Sequence, residues 1–444
     1  MSTSVALPAP GRREAAESLR TVATALFPCL LVFVAATVIV PLARETGDEA
    51  NYLAYAERLT HGAYANLHSP SPVDYLWFGP GLPLLLAPML ALGAPRELVR
   101  LLDPLVLWGA LLVFYMLISE YTSRRVALAT SYALLLYLPF YAVLGPLHVE
   151  PLATFLFTVG VFYTVRVVRG SSGARWGAGL AFGLLGLTRV EYGVALLVGT
   201  AVTLGCVLAR RQSSLEHRLA FVSCVGLLCC VPWLAYTYSL TGRPFYWGNS
   251  GGLSLYWMSA PTKGNLGDWH PPYISSGDSF LSFNAPAVRA NRAVLASVAR
   301  LPPLEQDFRL QETALVNVRE RPDVYLSNLV NNASRLAFNS PYSYSPQSDR
   351  PLIYALPNAV LLGALAVAGV IALHDRRRLP PEALVVGALL SLGFAIHLPV
   401  AAYGRFAIPL VPATAFLVLS VLVPRLAPEP PAVARVRRIT APEE

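Results

Sequence analysis

Residues 43–78 read ARETGDEANYLAYAERLTHGAYANLHSPSPVDYLWF. The stretch lies between an apolar run at 22–42 and a second, proline-broken apolar run at 79–94. It holds five acids (Glu45, Asp48, Glu49, Glu57, Asp74), two histidines (His61, His68) and four tyrosines. So much ionisable material beside a first membrane span marks a working site more often than simple solvation. A helix over 48–60 would set Tyr52 and Tyr55 about one turn beyond Asp48.

Composition supplies the class. The chain has 444 residues, 55% hydrophobic and 14% charged, whereas a soluble domain carries roughly 25% charged residues. Mean hydropathy is +0.51. The fold expected is an all-α polytopic membrane protein. Net charge is +8, and all but one of the 34 basic residues are arginine, Lys263 being the exception. The arginines cluster at the ends of apolar runs, as the positive-inside rule requires, and not in a nucleic-acid-binding pattern. The cysteines (Cys29, Cys206, Cys224, Cys229, Cys230) fall inside apolar runs without ligand-like spacing, so they read as small core residues. Residues 22–42 match a full span and lack a small-residue cleavage pattern, which makes the run a retained helix.

Crossing the hydrocarbon core takes roughly 20 apolar residues. The candidates are 22–42, 98–119, 126–145, 151–168, 190–209, 219–240, 352–373, 383–400 and 403–424, with 176–188 as a tenth, short span. The stretch 79–94 carries Pro80, Pro83 and Pro88 and is read as an interfacial helix. Ten spans then put both termini and the arginine clusters inside, leaving Arg189 and Arg405 on short outer turns. Making 79–94 span would push Arg124, Arg125 and most later clusters outside. The chain accordingly divides into a cytoplasmic tail (1–21), an N-terminal membrane module (22–241) with outer loop 43–97, an extracytoplasmic loop domain (242–351), C-terminal membrane helices (352–424) and a cytoplasmic tail (425–444). Within the loop domain, helical periodicity runs through 286–300, 303–320 and 322–339, each broken by proline.

Four outer turns thus contribute ionisable residues to one surface. They carry Asp48 and Glu49, then His148 and Glu150 (GPLHVEPLATF), then Arg189 and Glu191 (GLTRVEYGV), then Arg405 (AAYGRFAIPLVP). Ion pairs that merely join helices, such as Arg189 with Glu191 or Glu150, would account for individual members but less readily for the whole set. A carboxylate can take a proton from an attacking hydroxyl. Guanidinium groups bind phosphate bidentately and stabilise charge on a phosphate leaving group. The combination suits group transfer from a phosphate-linked donor. No Gly-rich phosphate loop and no DxD triplet is present, which argues against a nucleotide-sugar donor.

The order of motifs resembles the GT-C superfamily of membrane glycosyltransferases. GDEANYLAYAERLTHGAY is followed by YLWFGPGLPLLLAP, an HVEP turn, LTRVEYG, VPWLAYTYSLTGRPF and GRFAIPLVP. Within the superfamily the chain is most similar to the protein O-mannosyltransferase and lipid A aminoarabinose transferase branch, over most of residues 22–424. The resemblance implies an inverting transferase at the outer face of the plasma membrane, with a polyprenyl-phosphate sugar as donor and a glycan, lipid or protein hydroxyl as acceptor. It implies a catalytic acid at Asp48 or its neighbour Glu49, with Glu150, Arg189 and Arg405 binding substrate; Tyr52, by its helical spacing, and His148 and Glu191, by their outer turns, are the further substrate-binding candidates. No cofactor is certain. Asp48, Glu49, His61 and His68 are residue types that can hold a divalent metal, although their spacing matches no tight ligand pattern. The alternative class is a transporter or flippase for a polyprenyl-linked lipid. That class would call for inverted repeats with broken helices, and no internal repeat is visible.

Overall fold

The structure is a computed structural model that describes residues 12–41, 48–64, 76–209, 214–262, 264–270, 285–343, 350–375 and 379–422. Glu45, His68, Asp74, the arginine clusters at 210–211 and 376–378 and the tail 425–444 lie outside the described residues.

Among the described residues all regular structure is helical. The N-terminal half runs α1 (Arg12–Ile39), α2 (Asp48–Thr60), α3 (Gly81–Ala91), α4 (Arg96–Val99), α5 (Leu102–Ser119), α6 (Arg124–Leu135), α7 (Glu150–Val168), α8 (Ala174–Thr188), α9 (Val190–Ala209) and α10 (Ser214–Thr241). A helical segment follows, α11 (Gly251–Ser259), α12 (Ala285–Val298), α13 (Pro303–Glu320) and α14 (Pro322–Phe338). The chain then returns through α15 (Arg350–His374), α16 (Pro381–Ala395) and α17 (Val411–Leu422).

Among the described residues seven helices are long and apolar enough to cross a membrane: Leu19–Ile39, Arg96–Ser119, Glu150–Val168, Val190–Ala209, Ser214–Thr241, Leu352–His374 and Gly404–Leu422. The chain is an integral, multi-pass membrane protein. The other three expected spans are shorter. The 126–145 run stops as α6 at Leu135 and resumes as a 3-10 turn, Leu138–Val143, where Pro139 interrupts the helical ladder. Helices α8 and α16 have 15 residues each, about 22 Å against a core of roughly 30 Å. Helix α3 has 11 residues, about 16 Å, so it cannot cross, as expected of 79–94.

Lipid supplies no hydrophobic force between helices, so close packing of small residues does that work. Glycine-rich α8 packs between α7 and α10; a Cβ at Gly183 would fall 2.6 Å from Cys229 Cβ. One large core joins α1, α5, α7 and α17 through Phe33, Phe114, Phe157 and Phe416. A separate core of Leu253, Tyr256, Trp257, Leu295 and Leu310 holds α11, α12 and α13 together. Helices α12–α14 match the expected periodicity closely. Helix α11 falls in a stretch whose aromatic and glycine content gave no helical signal.

Candidate functional site

Asp48 and Glu49 occupy the first turn of α2, where the helix N-terminus favours negative charge. Adjacent helical residues point about 100° apart, and the two acids part company. Glu49 is buried, with Arg96 Nη2 at 2.5 Å and the Leu147 amide donating to Oε1 at 3.3 Å. Asp48 keeps 33% of its side chain exposed and accepts from Arg405 Nη2 at 2.5 Å. Burial alone would raise the Asp48 carboxyl. The Arg405 guanidinium outweighs it, helped by His148 and Arg189, and holds the group below the usual carboxylate range.

The turn before Glu150 is held by charged side chains from three elements. Gly145 takes φ +120 and its carbonyl accepts from Arg100 Nε. The Leu147 amide is taken by Glu49, and the His148 amide donates to Asp103 Oδ2 at 3.0 Å. Glu150 then opens α7, 1% exposed. Its Oε1 accepts from Arg189 Nη1 at 3.2 Å and lies 3.4 Å from Arg405 Nε. Its Oε2 is buried with no hydrogen-bond partner. The half-buried His148 ring sets Nδ1 2.8 Å from the Pro146 carbonyl.

Arg189 sits between α8 and α9 in extended backbone. The start of α3 presses on this junction so tightly that a Cβ at Gly79 would fall 2.1 Å from the Leu187 carbonyl oxygen. The buried guanidinium reaches Glu191 Oε1 at 3.3 Å through Nη2 and lies 3.9 Å over the Phe406 ring. Arg405 and Phe406 are on a 3-10 turn, Gly404–Leu410. The result is one alternating chain, Asp48–Arg405–Glu150–Arg189–Glu191, drawn from four elements.

The structure thus brings Asp48, Glu150, Arg189, Glu191 and Arg405 into contact, with His148 beside them. Tyr52 lies under this chain, buried against Phe78 with ring centroids 4.9 Å apart. Burial, with Asp48 and Glu150 nearby, pushes its phenol well above the ordinary value, so it stays a donor. Tyr55 instead stacks on Tyr64 at 4.9 Å and holds the loop. His61 is bonded within its own helix, to the Glu57 carbonyl. Among the described residues no group of three or more His, Cys, Asp or Glu is arranged to hold a metal ion.

Sequence reasoning missed Arg96, Arg100 and Asp103, although charged residues within or beside an apolar run were a visible signal. It also missed Tyr192 and His397. The Tyr192 hydroxyl and both His397 ring nitrogens are buried beside Arg189 and Phe406 without hydrogen-bond partners.

No family model matches the chain, and no curated protein matches it. Among solved structures it is similar to the oligosaccharyltransferase of Archaeoglobus fulgidus tethered with an acceptor peptide containing the NVT sequon. Identity is 16%, with 91% of this chain and 50% of that one covered at a TM-score of 0.50. The Archaeoglobus fulgidus oligosaccharyltransferase AglB in complex with an inhibitory peptide and a dolichol-phosphate matches at 16% identity, 95% and 52% coverage and TM-score 0.49. ArnT from Cupriavidus metallidurans bound to undecaprenyl phosphate matches at 17% identity, 90% and 77% coverage and TM-score 0.38. The chain shares its fold with the Archaeoglobus fulgidus oligosaccharyltransferase, and it spans about half the length of the oligosaccharyltransferase chains.

Proposed function

We propose that this protein is an inverting glycosyltransferase that moves a sugar from a polyprenyl-phosphate donor to an acceptor hydroxyl at the extracytoplasmic face of the plasma membrane. The observation that carries the reading is the alternating ionic chain. A part-exposed carboxylate, Asp48, is held by a part-exposed guanidinium, Arg405, beside a sealed carboxylate, Glu150, with one oxygen to spare.

The donor phosphate competes with Asp48 and Glu150 for the guanidinium groups of Arg405 and Arg189. As Arg405 turns toward phosphate, Asp48 loses the neighbour that weakens it as a base. The acceptor oxygen then bonds to the anomeric carbon from the face opposite the phosphate. The carbon–oxygen bond to phosphate breaks, its electron pair goes to the phosphate oxygen, and the hydroxyl proton passes to Asp48. Glu150 and Glu191 keep the two guanidiniums oriented, while Tyr52 and His148 offer hydrogen bonds to sugar or acceptor. Glu49 is spent on Arg96 and the Leu147 amide, so Asp48 is the base. Helix α3 forms the lipid-side wall at the membrane interface.

The test is transfer of labelled sugar from a polyprenyl phosphate to glycan, lipid and peptide acceptors by the protein in nanodiscs. Arg405→Ala should lower the rate by roughly 10²–10³-fold, the usual loss on removing one donor to a developing anion. Arg405→Lys should recover only part, because a point charge lacks the bidentate fork. Unchanged turnover in Arg405→Ala would sink this assignment. Label that crosses the bilayer of sealed proteoliposomes without being transferred would replace it with lipid transport.

A further inference from the structure

The turn that presents Arg405 has little regular structure to satisfy its own backbone. Helix α16 ends at Ala395, and the 3-10 turn begins only at Gly404. The last carbonyls of a helix have no intrahelical partner, and irregular backbone at membrane depth is tolerated only where protein satisfies it. The amides of Ile396, His397 and Leu398 take the last carbonyls of α16, and helix α14 satisfies the backbone beyond them from outside the turn. Asn332 is fully buried; its Nδ2 donates to the carbonyls of His397 at 2.8 Å, Leu398 at 3.0 Å and Val400 at 2.7 Å. Its Oδ1 accepts from the Ala402 amide at 3.1 Å. About two turns earlier on the same helix, Tyr325 donates to the Pro399 carbonyl at 3.2 Å. Asn339, which ends α14 in the left-handed conformation at φ 56, accepts from the Gly404 amide at 3.2 Å.

We infer that Asn332, assisted by Asn339, is a positioning residue that sets the Arg405 guanidinium against Asp48 and Glu150. The inference rests on the glycosyltransferase reading for its kinetic consequence, but not for its geometric one. The amide of Asn332 gathers residues 397–402 into a single shape, and Asn339 fixes the amide immediately before Arg405. The same turn carries His397 and Phe406, and Phe406 lies under the Arg189 guanidinium at 3.9 Å. Loss of the Asn332 bonds therefore lets both phosphate-facing arginines shift, although Asn332 touches neither. Helix α14 belongs to the segment between α10 and α15, so this contact also links that segment to the ionic chain.

The test uses the full chain in nanodiscs. Asn332→Asp keeps the shape and the oxygen that takes the Ala402 amide, but removes the donors. Asn339→Gly keeps the left-handed backbone and removes only the side-chain acceptor, which covers the case in which Asn332→Asp fails to fold. The first readout is phenylglyoxal modification of Arg405, followed by peptide mass mapping. Both variants should react several-fold faster than the parent, and Asn332→Gln, which retains the amide, should fall between. The second readout is kcat/KM for donor. Asn332→Asp should lose roughly 10- to 100-fold, the scale of a misplacement by about 1 Å. In an Arg405→Ala background it should cost less than about twofold more, since both changes act through one group. Unchanged Arg405 reactivity in the folded variants, or the same kinetic loss in both backgrounds, overturns the inference. If the parent protein transfers no sugar from any polyprenyl phosphate, the glycosyltransferase reading falls. Arg405 reactivity then decides the positioning role alone.

Discussion

Two aspartate–arginine pairs stand in different parts of this molecule. Asp48 and Arg405 are 2.5 Å apart with side chains 33% and 25% exposed. Asp268 and Arg335 are 3.1 Å apart and sealed, at 1% and 0%. The sealed pair is held by protein alone, although Arg335 Nε and Nη1 are buried without hydrogen-bond partners. The Asp268 carboxylate takes the amides of Ser343 at 2.8 Å and Trp269 at 2.9 Å, and Arg335 Nη2 donates to the Leu266 carbonyl at 2.9 Å. In the open pair, Arg405 extends to Glu150, whose second oxygen has no partner. Identical chemistry thus serves as a lock in one place and, on the reading above, as a substrate site in the other. What separates them is access to the pair from outside, not charge type.

The largest effect should come from the open pair. Asp48→Asn keeps size and removes basicity, so transfer should fall roughly 10²–10⁴-fold, the range for general acid–base catalysis. The thermal midpoint should barely move, because a part-exposed ion pair contributes about 0–1 kcal/mol. Normal turnover in Asp48→Asn, measured with labelled donor in membranes, would erase the distinction between the pairs.

The sealed pair should respond in the opposite currency. Arg335→Met leaves Asp268 buried without its cation, and breaking such a pair typically costs about 3–5 kcal/mol. Urea or thermal unfolding in detergent should show that loss, whereas a change under about 1 kcal/mol would mean that the lock is not structural.

Acid should weaken the lock as well. His270 packs on Trp257 with ring centroids 4.4 Å apart, and burial lowers its pKa to about 4 despite Asp268 nearby. A depressed histidine contributes stability that is complete above its unfolded value of roughly 6.5 and is lost as pH falls toward 4, about 3 kcal/mol in all. Midpoints measured across that window should decline, and His270→Phe should flatten the decline. The smallest effect belongs to Glu49→Gln. It loosens the Arg96 contact but leaves Asp48 in place, so its rate loss should be well under that of Asp48→Asn. The reverse order would move the base to Glu49.

Much of the architecture was legible in residue patterns. Apolar run length marked the seven long helices, and proline-broken periodicity marked α12, α13 and α14. The four polar turns were legible too, because charge beside a membrane span is expensive and stands out. The supports behind those turns were not. Asn332 reads as an ordinary helical surface residue, yet its acceptors lie 65 to 68 positions away. Asp103 and Arg100 lie inside the 98–119 run, and their partners, the His148 amide and the Gly145 carbonyl, come from a turn 45 positions away.

Sequence alone determined that this chain is a membrane-spanning helical protein with carboxylates and arginines gathered at a few turns. Hydrophobic length and charge cost are local properties that any window of the chain reports. Only tertiary structure decided which charges remain available. Asp48 and Glu49 are neighbours of like chemistry, and a rotation of about 100° along α2 sends one to Arg405 and the other to Arg96 and the Leu147 amide. Asp268 and Arg335 carry the same groups as Asp48 and Arg405, but packing seals them from outside. Availability depends on which donors and acceptors arrive from distant segments, and that is settled by packing in three dimensions.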